Sequence, residues 1–177
     1  MKVAALAIVA SLGILAPLTS VAADAPLGVI LPVQTLCAGT PTNGACVTID
    51  RRTGRTTMRR RHAPHIILWA IKATPAAAVP SPDGRFLVEE HRPGGLIEEG
   101  DGPTTTMLTL YDGGRIIRRV TLGDLTIGAN DLPTTASHRI WSSARYFADQ
   151  THYVIVLASG RKVSLDLTNH GRIYPAK

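Results

Sequence analysis

The sequence predicts an all-β or nearly all-β fold built from repeated antiparallel hairpins. The first observation behind this prediction is a turn dipeptide, Gly-Arg, which occurs five times where shuffling the same residues would give one or two. Glycine supplies the positive φ of a tight turn, and arginine begins the returning strand with its charge in water. The five pairs are Gly54-Arg55, Gly84-Arg85, Gly114-Arg115, Gly160-Arg161 and Gly171-Arg172.

The second observation is an alternating pattern near the C-terminal end of the sequence. Val163, Leu165 and Leu167 are apolar, whereas the intervening Ser164 and Asp166 are polar. Successive side chains of a strand point to opposite faces, so this pattern indicates a strand with one buried face. Half-buried hairpins of this kind can stack face to face as a compact β-sandwich.

The N-terminal residues have the three parts of a secretory signal peptide. Met1-Lys2 gives a positive start, the next 14 residues are uncharged and mostly apolar, and Val21-Ala22-Ala23 places small residues before Asp24. The apolar stretch is shorter than the roughly 20 residues that a membrane-spanning helix needs. We therefore expect residues 1–23 to be a cleaved signal and residues 24–177 to form one exported domain, periplasmic or secreted, that does not span the membrane.

The two cysteines of the chain, Cys37 and Cys46, fit an exported protein. Eight residues rich in glycine, proline and asparagine separate them, and this flexible loop lets the two sulfurs meet. In an oxidising compartment we expect a disulfide that stabilises the fold by about 2–3 kcal/mol. A redox-active or metal-binding pair is the alternative, but the close Cys-x-x-Cys spacing of such pairs is absent.

The middle of the chain alternates strand-like segments with turn signals. Residues 46–50 and 56–60 are predicted strands of one hairpin, and residues 65–71 are apolar enough for a buried strand or a short helix. Residues 81–85, Ser-Pro-Asp-Gly-Arg, predict a turn because proline presets φ and Asp-Gly closes the bend. Residues 86–88 follow it as a strand.

Two further hairpins are predicted in the second half of the chain. The turn of the first hairpin is Asp112-Gly113-Gly114-Arg115, with Gly114 in the bend. The turn of the second is Ser159-Gly160-Arg161, with Gly160 in the bend. The segments that these turns join are 107–111 with 116–122, and 153–158 with 163–167.

Several of these segments resemble the hairpins of β-propeller blades in bacterial exported and sensor-like repeat proteins. Residues 81–88, SPDGRFLV, are similar to the S-P-D-G-[RK] turn and strand of such blades, and residues 48–54, TIDRRTG, match their D-x-x-T-G turn. The hairpins at 110–116 and 157–167 resemble later hairpins of the same blades. Together these motifs cover residues 46–173, so the chain resembles small bacterial exported proteins with S-P-D-G hairpin repeats.

The resemblance implies a repeat scaffold and supplies no catalytic residue. Propellers need at least four blades of roughly 40 residues to close a ring, while this chain offers about three β-meanders. The Trp-Asp dipeptide of one large propeller family is absent, since neither Trp69 nor Trp141 is followed by aspartate. We therefore expect either an incomplete propeller-like arrangement, in which oligomerisation is one route to closure, or a compact sandwich.

A cluster of arginines is the strongest candidate for binding. Six lie within eleven residues, in a chain of net charge +6: Arg51, Arg52, Arg55, Arg59, Arg60 and Arg61. On a regular strand over 55–61, Arg55, Arg59 and Arg61 share one face and are the predicted binding residues. Export and the lack of interleaved aromatic residues disfavour nucleic acid, so anionic lipid, polysaccharide or an acidic protein patch is the expected partner. The alternative is a solvated hairpin whose charges protect a sheet edge from aggregation.

Other constellations carry weaker signals for chemistry. The acidic residues from Glu89 to Asp101 could bind a cation, or could act as the acid and the base of a hydrolase. However, they do not occur at the alternate positions of a calcium-binding loop, and the glycines of the segment indicate a mobile connector. His62 and His65, with His91 as a candidate third ligand, are a weak metal signal, because a metal site needs three or four ligands in a defined geometry and Pro64 argues against a helix that would align the first two. Neither a Gly-x-Ser-x-Gly elbow nor a His-Glu-x-x-His helix is present, so no catalytic residue, metal or cofactor is assigned.

The function predicted from these observations is that of an exported, β-rich binding module of the cell envelope. Its partner is a protein or an anionic envelope component. Two alternatives remain open: a hydrolase that uses the acidic loop 89–101, and a purely structural envelope protein.

Overall fold

The computed structural model describes residues 31–98, 100–125, 132 and 139–176. Within these ranges the chain forms fourteen β-strands and no α-helix, so the predicted all-β fold is confirmed. The predicted signal peptide, residues 1–23, lies outside the described ranges. Among the helical turns that are described, none is long and apolar enough to cross a membrane.

Three antiparallel sheets of four strands account for most of the described residues. The first sheet contains, in order, β1 (Val33–Gly39), β2 (Gly44–Asp50), β3 (Arg55–Arg60) and β4 (Ile67–Ile71). The second contains β5 (Ala77–Pro80), β6 (Phe86–Glu90) and, after the short β7 (Leu96–Ile97), β8 (Thr106–Asp112) and β9 (Arg115–Thr121). The third follows β10 (Arg139–Ile140) and contains β11 (Ser142–Phe147), β12 (His152–Leu157), β13 (Lys162–Asp166) and β14 (Arg172–Pro175).

Each four-stranded sheet is a meander, in which strands that are consecutive in sequence are neighbours in the sheet. The exception is β7, which lies between β6 and β8 in sequence but pairs with β10 instead. The predicted hairpins are confirmed at β8–β9 and at β12–β13. In the first of these, Asp112 pairs with Arg115, so Gly113 and Gly114 form the two-residue turn. The apolar segment 65–71, which the sequence left open between strand and helix, contributes the edge strand β4.

The second sheet lies between the other two and buries both of its faces. Phe86 and Val88 point toward the third sheet and join the larger core, while Leu87 points toward the first sheet and joins the smaller one. This alternation is the period of two that a strand imposes on its side chains. Trp141 and Tyr153 are the largest fully buried side chains of the larger core.

The turn at residues 81–85 joins β5 to β6 within the second sheet and packs against the first sheet. The Ser81 hydroxyl donates to Asp83 (2.6 Å) and accepts from the Phe86 backbone N–H (2.9 Å), which closes the turn. The Trp69 indole N–H donates to the Gly84 carbonyl (2.8 Å) from β4. Gly84 has φ +75°, and a Cβ there would lie 2.6 Å from the Ala45 Cβ, so a larger residue would push the two sheets apart.

The disulfide between Cys37 and Cys46 is present, as predicted. The two residues face each other across β1 and β2, and their Cα atoms are 4.0 Å apart. The bridge therefore ties the edge strand β1 to the rest of the first sheet.

Candidate anion-binding groove

A groove crosses the outer face of the first sheet, on the side opposite the second sheet. Its volume is about 220 Å³, and it is lined by seven residues from β2, β3, the intervening turn and β4: Thr48, Asp50, Thr53, Arg55, Thr57, Arg59 and Ile67. Arg55 and Arg59, two of the three arginines predicted to bind a ligand, are among them. Arg61 is not, because β3 ends at Arg60.

The strand pairing explains why a groove forms here. Thr48 lies opposite Thr57, and Asp50 lies opposite Arg55. Side chains alternate along a strand, so Arg55, Thr57 and Arg59 all point outward while the residues between them are buried. The two small threonines form a floor between longer arginine side chains, which act as walls.

The two arginines of the groove differ in how they are held. The Arg59 guanidinium donates to the Pro64 carbonyl (2.8 Å), and this contact fixes a half-buried side chain while most of its N–H groups remain available. Arg55 is exposed. Among the described residues, no carboxylate lies within ion-pair distance of either guanidinium. Both positive charges are therefore uncompensated by a direct ion pair in this part of the chain.

Asp50 places one negative charge at the end of the groove. Its Oδ1 accepts from the backbone N–H groups of Arg52 (2.9 Å) and Thr53 (3.3 Å), so the side chain also closes the β2–β3 turn. The Thr53 side chain and these two amides hold the pKa of Asp50 below its ordinary value, against the opposing effect of burial. The carboxylate is therefore ionised at neutral pH.

The other arginines of the cluster have different surroundings. Arg51 donates to the carbonyls of Leu31 (2.9 Å) and Pro75 (2.9 Å), which fastens the β2–β3 turn both to the segment before β1 and to the linker that leads into the second sheet. Arg61 donates to the Gly39 carbonyl (2.8 Å) at the end of β1. Of the six arginines, two therefore brace the backbone, two line the groove, and the other two, Arg52 and Arg60, are exposed.

Sequence reasoning missed the groove residues that are not arginine. Thr48, Thr57 and Ile67 carry no charge and match no motif, so nothing local marks them. The predicted hairpin brings residues 46–50 next to 56–60, but Thr48 lies opposite Thr57 only in the observed register, in which Asp50 pairs with Arg55.

The acidic residues at the start of the candidate hydrolase segment point to opposite faces of the second sheet. Glu89 accepts from the Tyr111 hydroxyl (2.7 Å) on the side of the first sheet. Burial and this carboxylate raise the pKa of Tyr111 well above its ordinary range. Glu90 points toward the third sheet, where it accepts from the Tyr153 hydroxyl (2.8 Å) and pairs with Arg145. The two adjacent carboxylates therefore do not form one site.

The other described acidic residues of this segment, Glu98 and Asp101, do not form a site with either glutamate. Asp101 forms a two-pronged ion pair with Arg92 (2.8 and 3.0 Å) and caps the backbone N–H of Glu98 (2.9 Å). The Arg92 guanidinium lowers the pKa of Asp101 against the opposing effect of burial. Glu98 is exposed, and Glu99 lies outside the described residues. The segment is held by its own internal ion pair.

The histidines do not converge on a common point. His62 and His65 are exposed, and the His91 Nε2 lies 2.7 Å from the Thr109 hydroxyl and 4.0 Å from a Glu89 oxygen. Within the described ranges, no group of three or more His, Cys, Asp or Glu side chains is arranged to hold a metal ion.

Comparison with known proteins assigns the chain to no family. No protein-family model matches it, and no curated protein is similar enough in sequence to count as a relative. The candidate groove therefore rests on its own geometry and charge.

Proposed function

We propose that this chain is an exported binding module of the cell envelope that takes an anionic group in the groove on the first sheet. The observation that carries the proposal is the pair Arg55 and Arg59, which line one groove without an ion-pair partner among the described residues. Guanidinium groups present several N–H donors in a planar fork that suits carboxylate and phosphate oxygens. Such a pair can hold an anionic group at a sheet surface.

The export part of the proposal is supported by the signal-like N-terminal sequence and the Cys37–Cys46 disulfide. Disulfides persist in oxidising compartments and are rare in the reducing cytosol. The bridge joins strands of the same sheet that carries the groove, so it would stabilise the binding surface in the envelope.

The geometry favours binding over hydrolysis through the acidic segment. Glu89 and Glu90 lie on opposite faces of a sheet, and Asp101 is engaged by Arg92. A pair of carboxylates that divides acid and base roles must flank one reacting bond. These carboxylates are instead engaged in contacts that stabilise the fold.

The proposal can be tested by comparing the salt dependence of binding in arginine variants. The purified protein is applied to immobilised acidic polysaccharide, anionic vesicles and acidic envelope proteins at low and high salt. Wild type should bind at least one of these partners at low salt and release it as ionic strength rises, because the Debye length shrinks to about 8 Å at physiological salt.

One variant that loses charge in the groove and two controls that lose charge elsewhere make this test specific. The double variant Arg55→Gln/Arg59→Gln should lose most of the binding, whereas Arg61→Gln, in the same hairpin but outside the groove, should keep it. A second charge control is Arg115→Gln on the exposed end of β9. Equal binding by wild type and the double variant would overturn the proposal.

A further inference from the structure

We infer that the groove selects an acidic sugar, a ring that carries a carboxylate and free hydroxyl groups, over a bare phosphate. This inference rests on the proposed anion binding and adds the class of ligand. Its starting point is the composition of the groove, which places one carboxylate, Asp50, beside two arginines and three threonines.

Asp50 opposes the binding of a simple, highly charged anion. It lies directly opposite Arg55 in the pairing of β2 with β3, and its hydrogen bonds to the turn keep it ionised. A phosphate dianion held by Arg55 would be repelled by this carboxylate. A singly charged carboxylate is repelled less, which favours it over phosphate at the same site.

The same carboxylate suits a ligand that carries hydroxyl groups. An ionised aspartate only accepts hydrogen bonds and has about four acceptor positions on its two oxygens. Two backbone N–H groups and the Thr53 side chain already bond to this carboxylate, which leaves it capacity for one further donor. A sugar hydroxyl is such a donor, and bonds that involve a charged group are the stronger ones.

The threonine floor of the groove and Ile67 beside it fit the remainder of a sugar ring. Thr48 and Thr57 lie opposite each other, and a hydroxyl can both donate and accept, so Thr48 can still bond to a ligand although it shares a bond with the Thr35 hydroxyl (3.2 Å). Ile67 is 49% exposed and offers an apolar contact to the C–H face of a ring. The volume of about 220 Å³ is below the roughly 300–1,000 Å³ of pockets for drug-sized ligands, so one ring or a chain end is the unit that fits.

The experiment compares three ligands on the full chain by isothermal titration calorimetry: glucuronate, glucose and inorganic phosphate. Wild type should bind glucuronate on the order of tenfold more tightly than either of the others, because only glucuronate uses both the arginines and Asp50. Asp50→Asn keeps an oxygen that can close the turn but removes the charge. This variant should bind glucuronate more weakly and phosphate more tightly, so the preference shrinks.

A second variant keeps the inference testable if Asp50→Asn does not fold. Thr57→Val keeps the branched shape and the strand preference but removes a hydroxyl, and it should weaken glucuronate binding more than phosphate binding. Unchanged ligand preference in both variants would overturn the inference.

The outcomes separate this inference from the proposal on which it rests. If wild type binds phosphate at least as tightly as glucuronate, and Arg55→Gln/Arg59→Gln loses both, the acidic-sugar inference is wrong and anion binding stands. If neither anion binds, or if both bind the double variant as tightly as wild type, the anion-binding proposal fails as well.

Discussion

Glu90 of β6 and Arg145 of β11 join the second and third sheets through a two-pronged ion pair. The Arg145 Nε lies 2.9 Å from Glu90 Oε1, and its Nη2 lies 3.1 Å from Oε2. Their side chains are 7% and 13% exposed, respectively. The Tyr153 hydroxyl donates to the same glutamate (2.8 Å), and the Arg145 guanidinium lies over the Trp141 ring at 5.2 Å. The pair is thus largely buried between two sheets, and each member has a further partner.

Removing one member of this pair should destabilise the fold strongly. Arg145→Met leaves the Glu90 carboxylate buried without its counter-charge, which costs about 3–5 kcal/mol of unfolding free energy. Urea denaturation followed by tryptophan fluorescence measures the change.

A double variant provides the control for the ion pair. Glu90→Gln combined with Arg145→Met removes both charges and should be less destabilised than the sum of the two single variants. Additive losses, or an Arg145→Met variant as stable as wild type, would show that the pair contributes little.

The β8–β9 turn should not accept a branched residue. Gly114 has φ +83°, and a Cβ there would lie 3.2 Å from Ile71 Cγ2 and 3.3 Å from Trp69 Cε3. Gly114→Val should therefore lower the unfolding free energy by more than about 1 kcal/mol. Thermal melting followed by circular dichroism tests this, with Gly100→Val as the control, because the space around Gly100 is open. Equal losses in the two variants would contradict the explanation.

Features set by neighbouring residues could be predicted from the sequence. The hairpin turns at 112–115 and 159–161 depend on glycines that the sequence displays, and the Cys37–Cys46 bridge depends on a short separation. The Glu90–Arg145 pair joins residues 55 positions apart, and no local pattern indicates which arginine meets this glutamate.

Only the part of the candidate groove that depends on a single strand could be predicted from the sequence. Alternation along one strand places Arg55 and Arg59 on one face. Pairing with the neighbouring strands ends β3 at Arg60 and shifts the register between β3 and β4. The position of Arg61 depends on the first of these features and that of Ile67 on the second, so alternation along one strand could predict neither.

The disulfide should contribute measurably to stability. It closes a short loop between β1 and β2, and restricting the unfolded chain in this way contributes about 2–3 kcal/mol. The double variant Cys37→Ala/Cys46→Ala should lose that amount in urea denaturation and keep its β-rich circular dichroism spectrum. Intact-mass analysis with alkylation, before and after reduction, checks the bridge itself, and two thiols that alkylate without reduction would contradict it.

Acid should weaken the fold through Asp149 in the turn between β11 and β12. Although burial opposes the shift, backbone N–H bonds from Thr151 (2.7 Å) and His152 (2.8 Å) lower the pKa of Asp149 from 3.8 to about 2. A depressed carboxyl pKa stabilises the folded state above the unfolded pKa, and this contribution is lost as the pH falls through the folded pKa. The unfolding free energy should therefore decline between about pH 4 and pH 2.

The matching variant separates this residue from the other carboxylates. Asp149→Asn should be less stable than wild type at pH 6, and the difference should shrink as the pH approaches 2. Urea denaturation across this range measures it, and a difference that stays constant with pH would exclude the ionised Asp149 as the cause.

The most direct test of the groove is a map of where an anionic sugar contacts the protein. Nuclear magnetic resonance of the ¹⁵N-labelled protein, titrated with glucuronate, reports each backbone amide separately. If the groove binds the sugar, the shifts concentrate on β2, β3 and β4 around Thr48, Arg55, Thr57 and Arg59, and they disappear in Arg55→Gln/Arg59→Gln. Saturable shifts confined to the second or third sheet, or no shifts at low salt with either glucuronate or phosphate, would contradict the claim that this groove is the binding site.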